Sequence, residues 1–221
     1  MKPYIEVIWE DAKILVCRKP AGLPVQSAKI GQQDMVNLLK NYRAGQQEPP
    51  EVYPVHRLDQ PVEGLMVFAK NKEAAAALSR QIQQKSVDKY YHAVAEGIFD
   101  EPEGRLEDYL LRDGRSNTSR VVPADTPGAR KAVLHYRVLK VNEEVGNSLV
   151  EIRLETGRHH QIRVQLAHTG HPLVGDKKYN PNCGNGYLPI GLCSISLAFS
   201  HPITGKRMEF SIEPQGPAFV T

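Results

Sequence analysis

Val55-His56-Arg57-Leu58-Asp59-Gln60-Pro61-Val62-Glu63-Gly64 runs straight into Leu65-Met66-Val67-Phe68-Ala69, a polar turn feeding a short apolar stretch that reads as a strand. A carboxylate at a turn beside a strand start is held rigidly yet can face a cleft. With Arg57 two positions back and Pro61 two positions on, Asp59 is poorly explained as an ordinary solvated turn residue.

On the N-terminal side, residues 5–9 and 14–19 read as two strands joined at Glu10-Asp11, and Pro20-Ala21-Gly22-Leu23-Pro24 breaks the pattern. Asp34 is placed to cap a helix with Met35, Leu38, Leu39 and Tyr42 on one face. On the C-terminal side, Asn71 caps a helix over residues 72–85, where Ala74, Leu78 and Ile82 recur on one face and the alanines 74–77 suit close packing on a sheet. Strands are predicted at 90–95, 133–141, 149–155, 194–200 and 207–212. Between them, residues 104–128 are polar and irregular, but the apolar pairs Leu110-Leu111 and Val121-Val122 mark a long hairpin or loop rather than a linker. The fold class is α+β, a mixed or mostly antiparallel sheet flanked by a few helices and loops.

The chain has 221 residues, 41% hydrophobic and 24% charged, which is ordinary for a globular protein, and a single domain over residues 1–221 is expected. No run approaches the roughly 18 apolar residues of a membrane span, and Met1-Lys2-Pro3-Tyr4 opens no signal peptide, so a cytoplasmic location and no membrane partner are expected. Cys17, Cys183 and Cys193, odd in number and lacking CxxC spacing, read as reduced structural thiols. A net charge of +3 permits a nucleic-acid partner without requiring one.

A second dense stretch is Leu154-Glu155-Thr156-Gly157-Arg158-His159-His160-Gln161-Ile162-Arg163, continuing to Gly170. It reads as a strand ending at Glu155, a Thr156-Gly157 turn and a short helix stopped by Gly170. On that helix His159, Arg163 and Ala167 would share one face, with Ile162 and Leu166 on the more buried one. Arg163 then lies at the edge of the core, where a guanidinium calls for a carboxylate, and Asp59 is the partner expected. His159, His160, His168 and His171 invite a metal ion, but no HExxH pattern supports one. Successive helical side chains diverge by about 100°, which would keep His159 and His160 from facing one ion, so no metal is expected.

In Lys89-Tyr90-Tyr91-His92-Ala93, strand alternation puts Tyr91 and Ala93 on one face. Tyr91 reads as a core residue or as a stacking platform for a nucleobase. No GxxxxGK[ST], GxGxxG or GxSxG motif is present. One carboxylate, one arginine and one tyrosine suit chemistry at a glycosidic carbon or an activated ring.

These segments, in this order, resemble the RluA-type pseudouridine synthases. The likeness runs from VIWEDAKILVCRKPAGLPVQS through HRLD (56–59), GLMVFAK (64–70), KYYHAVAEG (89–97) and TGRHHQIRVQLAHTGHPLVGDKKY (156–179) to SHPITGKRMEF. HRLD together with GRxHQIRV is highly specific. The resemblance implies the pseudouridine synthase fold with a central active-site cleft, and isomerisation of uridine to pseudouridine in ribosomal or transfer RNA without cofactor or metal. Asp59 matches the aspartate that attacks the uridine. Tyr91 matches the tyrosine that packs on the base, with an assigned part in proton transfer, and Arg163 the arginine that pairs with the aspartate. Arg57 looks placed to contact RNA where the flipped nucleotide leaves its stack. His56, Arg158, His159 and Gln161 are expected at the RNA as well. Arg112, Arg115 and Arg120 suit phosphates or a solvated loop face equally.

Three departures stand out. Many members have threonine and serine where this chain has Val62 and Glu63, and Glu63 adds negative charge beside Asp59. The usual GRTHQIR is GRHHQIR here. The small N-terminal RNA-binding domain of many relatives is expected to be absent, since the match starts within a few residues of Met1, and substrate selection is then expected from the catalytic domain's own loops, such as residues 104–128, or from a partner. A monomer is expected. The alternative class is a catalytically silent RNA-binding or RNA-folding factor, which intact Asp59, Tyr91 and Arg163 argue against. A glycosidase or nucleoside hydrolase would need a second carboxylate, for which Glu63 is the nearby candidate.

Overall fold

A computed structural model of the chain describes residues 5–184 and 188–220, so the Met1–Tyr4 opening lies outside the described residues. By backbone contacts the chain divides into two compact units, residues 1–89 with 194–214 and residues 90–193 with 215–221.

The first unit is built on two strands whose apolar runs, Ile14–Cys17 and Leu65–Ala69, are flanked by buried charged residues. β1 (Glu6–Glu10) and β2 (Ile14–Lys19) form the expected antiparallel hairpin, and β2 pairs antiparallel with β4 (Glu63–Ala69). Every residue of β2 and β4 is buried, the signature of strands covered on both faces. β3 (Tyr53–Pro54) borders β4, and β11 (Arg207–Ser211) pairs antiparallel with β10 (Leu192–Ser200). α1 (Met35–Gly45) starts where Asp34 accepts the Asn37 amide at 2.8 Å, and α2 (Lys72–Gln83) where Asn71 accepts the Ala74 amide at 2.9 Å. Ala74 and Leu78 of α2 enter a core with Ile14, Val16, Leu65, Val67, Leu197 and Phe199. The buried face of α1 is Met35, Val36, Leu39 and Arg43, rather than one running through Leu38 and Tyr42. Arg43 is drawn inward by backbone carbonyls of Glu51 and Lys70, and the Tyr42 hydroxyl turns out to donate to Glu10 at 2.9 Å.

The second unit is an antiparallel meander in the order β5-β9-β8-β6-β7: β5 (Asp88–Glu96), β6 (Glu103–Asp113), β7 (Thr118–Val122), β8 (Arg130–Asn142) and β9 (Asn147–Leu154). Residues 104–128 are therefore a hairpin, β6–β7, whose Leu110 and Val121 sit opposite one another. α3 (Gln161–His168) packs Val164 onto Leu110 and Ala132. No helix among the described residues is long and apolar enough to cross a membrane.

Candidate functional site

Asp59 stands on a turn that the fold clamps from behind. Its backbone carbonyl accepts the Val62 amide at 3.1 Å, and the half-buried side chain leaves from that turn. Lys19, the last residue of β2 and fully buried, donates from Nζ to the carbonyls of Pro20 (2.9 Å), Leu23 (2.7 Å) and Gln60 (3.0 Å). Gly22 and Gln60 exchange two further hydrogen bonds, from the Gly22 amide to the Gln60 carbonyl and from Gln60 Nε2 to the Gly22 carbonyl. One ammonium thus ties the Pro20–Pro24 break to the turn that carries Asp59.

Burial pulls the Lys19 ammonium down to about 7, while the carboxylates of Asp59 and Glu63 oppose that shift. The two departures from the family pattern have local reasons here. Val62 is a core residue, 2% exposed, and Glu63 is a buried acid at the start of β4 whose charge is felt by Lys19. Lys19 was not singled out from sequence.

His56, three residues before Asp59, accepts the Val67 amide at Nε2 (3.1 Å), and Arg57 is exposed. Burial, reinforced by the Lys89 charge, pushes the His56 ring down to about 3, so it is neutral with its proton on Nδ1.

In the second unit Arg163 is 3% exposed, deeper than the core edge expected of it. Nε and Nη2 donate to the two carboxylate oxygens of Asp176, each at 2.7 Å, a bidentate buried pair. The guanidinium also lies 5.1 Å from the centre of the Tyr179 ring. Neither Asp176 nor Tyr179 was singled out from sequence. Tyr91 is buried on β5, opposite Ile152 of β9.

The histidines depart from expectation. α3 begins at Gln161, so His159 precedes the helix and shares no helical face with Arg163 and Ala167. His160 adopts a left-handed backbone (φ 54°), which brings the two rings into a stack at 3.7 Å instead of letting them diverge. His159 bonds Ser119 Oγ (2.9 Å) and Asn117 Oδ1 (3.2 Å), and His160 Nδ1 meets the Tyr179 hydroxyl at 2.7 Å. The pair therefore fastens the β6–β7 hairpin to the start of α3. No group of three potential metal ligands occurs among the described residues.

Gln161 is 3% exposed; its Oε1 accepts from the Arg158 amide and the Thr156 hydroxyl, and its Nε2 donates to the Val133 carbonyl. Arg158 is exposed and donates to the Lys131 carbonyl at 2.8 Å. Arg112, Arg115 and Arg120 are exposed on the hairpin.

Comparison with known proteins gives four findings. A family model described as RNA pseudouridylate synthase matches residues 13–168. The uncharacterized RNA pseudouridine synthase YhcT of Bacillus subtilis is 40% identical over 206 residues, covering 91% of this chain and 66% of that protein. Ribosomal large subunit pseudouridine synthase D of Pseudomonas aeruginosa is 37% identical over 221 residues, covering 93% of this chain and 67% of that protein. The solved structure of human RNA pseudouridylate synthase domain containing 4 superposes with a TM-score of 0.78 at 23% identity, over 95% of this chain and 89% of that one. The chain spans about 66% of the length of the first of these curated relatives.

Proposed function

The chain belongs to the RNA pseudouridylate synthase family, and on that premise we propose that it isomerises uridines to pseudouridine in ribosomal RNA. Names of relatives such as ribosomal large subunit pseudouridine synthase D support the substrate class. Residues 1–221 act in this reading as one catalytic domain, with Asp59, Tyr91 and Arg163 as its catalytic residues.

Pseudouridine keeps every atom of uridine. The N1–C1′ bond breaks, a C5–C1′ bond forms, the proton on C5 is lost and N1 ends protonated. Asp59 is the nucleophile that lets the base detach, rotate and rejoin through carbon. Tyr91 packs on the extruded base and takes part in the proton transfer, and Arg163, oriented by Asp176, supplies the positive charge. Arg57 contacts RNA where the nucleotide leaves its stack. Work on ribosomal RNA would fit a cytoplasmic location.

The observation that carries this reading is the Asp59 turn itself, tied through the Gln60 carbonyl to the buried Lys19, whose other two bonds hold the Pro20–Pro24 break. Such rigidity serves a carboxylate that must meet one carbon in one orientation. Asp59→Asn should abolish pseudouridine formation, at least ~1,000-fold, while RNA affinity and Tm stay near those of the unaltered protein. Pseudouridine mapping in total RNA from cells with and without the gene identifies the uridine. Full activity in Asp59→Asn overturns the assignment, and sites confined to transfer RNA would correct the substrate class.

A further inference from the structure

His56 Nδ1 is shut off from solvent and has no hydrogen-bond partner among the described residues. Because Nε2 accepts the Val67 amide, Nδ1 carries the ring proton and is a buried donor with nothing to donate to. Buried donors left this way are rare and call for an explanation.

Lys89 supplies the second half. Its ammonium is near enough to the His56 ring to oppose protonation electrostatically. No hydrogen bond or ion pair engages it among the described residues. The neighbouring acid, Asp88, falls on the other side of the strand by alternation and is taken up by Arg207. Burial holds the Lys89 ammonium below the usual lysine range, as expected of a partly desolvated cation without a counter-anion.

A buried N–H without an acceptor and a desolvated ammonium whose charge reaches the same ring are the two parts of an anion site. We propose that His56 and Lys89 form a niche that binds one backbone phosphate of the RNA substrate. This rests on the reading of the protein as an RNA enzyme. A phosphate is favoured over a carboxylate because His56 stands three residues before Asp59, the residue proposed to attack the uridine. The niche would fix the sugar–phosphate while the base is free to rotate. A neutral histidine suits that task, since its donor direction is already set by the Val67 bond and needs no reorientation on binding.

The test uses the full chain carrying Asp59→Asn, so that nothing turns over. Uridine 5′-monophosphate, inorganic phosphate and uridine are titrated in turn, with calorimetry for affinity and ring-nitrogen NMR for His56. Expected are saturable binding of both phosphate-bearing probes, a shift of the His56 Nδ1–H signal with each, and at least ~10-fold weaker binding of uridine than of its monophosphate. Adding Lys89→Met should erase that difference and, with a short oligouridylate, lower the salt slope of binding by about 0.7, the share of one single-strand phosphate. His56→Gln should do the same, and Lys89→Met decides the matter if that variant does not fold. Equal affinity for uridine and its monophosphate, no saturable binding at millimolar probe, or full discrimination in Lys89→Met overturns the niche. Pseudouridine formation by the unaltered protein is read separately: activity without a niche ends this inference alone, and a niche without activity ends the proposed function while leaving an anion site.

Discussion

Arg163 shows what a single residue discloses through its neighbours. An arginine that deep in a fold demands a carboxylate, and the demand could be stated from sequence, but Asp176 could not be identified as an answer. It lies 13 positions on, beyond the end of α3 and just after Gly175, where no helical or strand period links it to Arg163. With 4% and 0% of the two side chains exposed, the pair is the kind whose rupture is costly. Asp176→Asn keeps the shape and removes the charge, so it should destabilise the protein by ~3–5 kcal/mol and lower Tm by about 10 °C. Thermal unfolding of the two proteins measures it directly, and a Tm within a degree of the unaltered protein would remove Asp176 from this role. Lys19 was overlooked for a related reason: nothing in Arg18-Lys19-Pro20 announces an ammonium turned inward onto three carbonyls.

At the scale of elements, legibility followed burial. β2 and β4 were readable because continuous apolar runs leave few alternatives, and α1 and α2 because Asp34 and Asn71 cap them with their own side chains. The start of α3 was misplaced because His160 takes a left-handed conformation that no pattern of hydrophobicity reports. The sequence pattern leaves β6–β7 open between hairpin and loop because β6 has a single buried residue, Leu110, so strict alternation has little to show. β4 carries a constraint of another kind. Gly64 has φ 133°, and a side chain there would collide with the backbone of Ser194. Strain and collision together should make Gly64→Ala cost ~3 kcal/mol or more. Gly205→Ala, with φ 70° and open space around it, should cost only ~1 kcal/mol, from strain alone. Urea unfolding of both variants separates the two, and equal losses would show that the close approach at Ser194 is not limiting.

For the molecule as a whole, charge decides how RNA would be approached under the proposed function. A net charge of +3 is too small to gather a polyanion by itself, so any attraction must come from where the cations are placed. Arg112, Arg115 and Arg120 lie on one exposed hairpin, and that hairpin is no loose appendage. His159 holds Ser119 and Asn117, the Tyr179 hydroxyl accepts the Ser119 amide at 2.8 Å, and Lys178 Nζ donates to the Asn117 carbonyl at 2.7 Å. The histidine that replaces the family's usual threonine is thus one of the fastenings, which connects this chain's departure from the motif to the rigidity of its basic arm. A fixed arm presents its arginines without first having to order them, so each phosphate contact should register in full. Replacing all three arginines with glutamine should weaken RNA binding and flatten the plot of log Kd against log salt by about 2, three single-strand phosphates' worth. His159→Thr, which keeps the arginines but loosens the arm, should weaken binding with that slope unchanged. Filter binding across a salt series distinguishes the cases, and an unchanged slope in the triple variant would make the hairpin a solvated face with no part in gripping RNA.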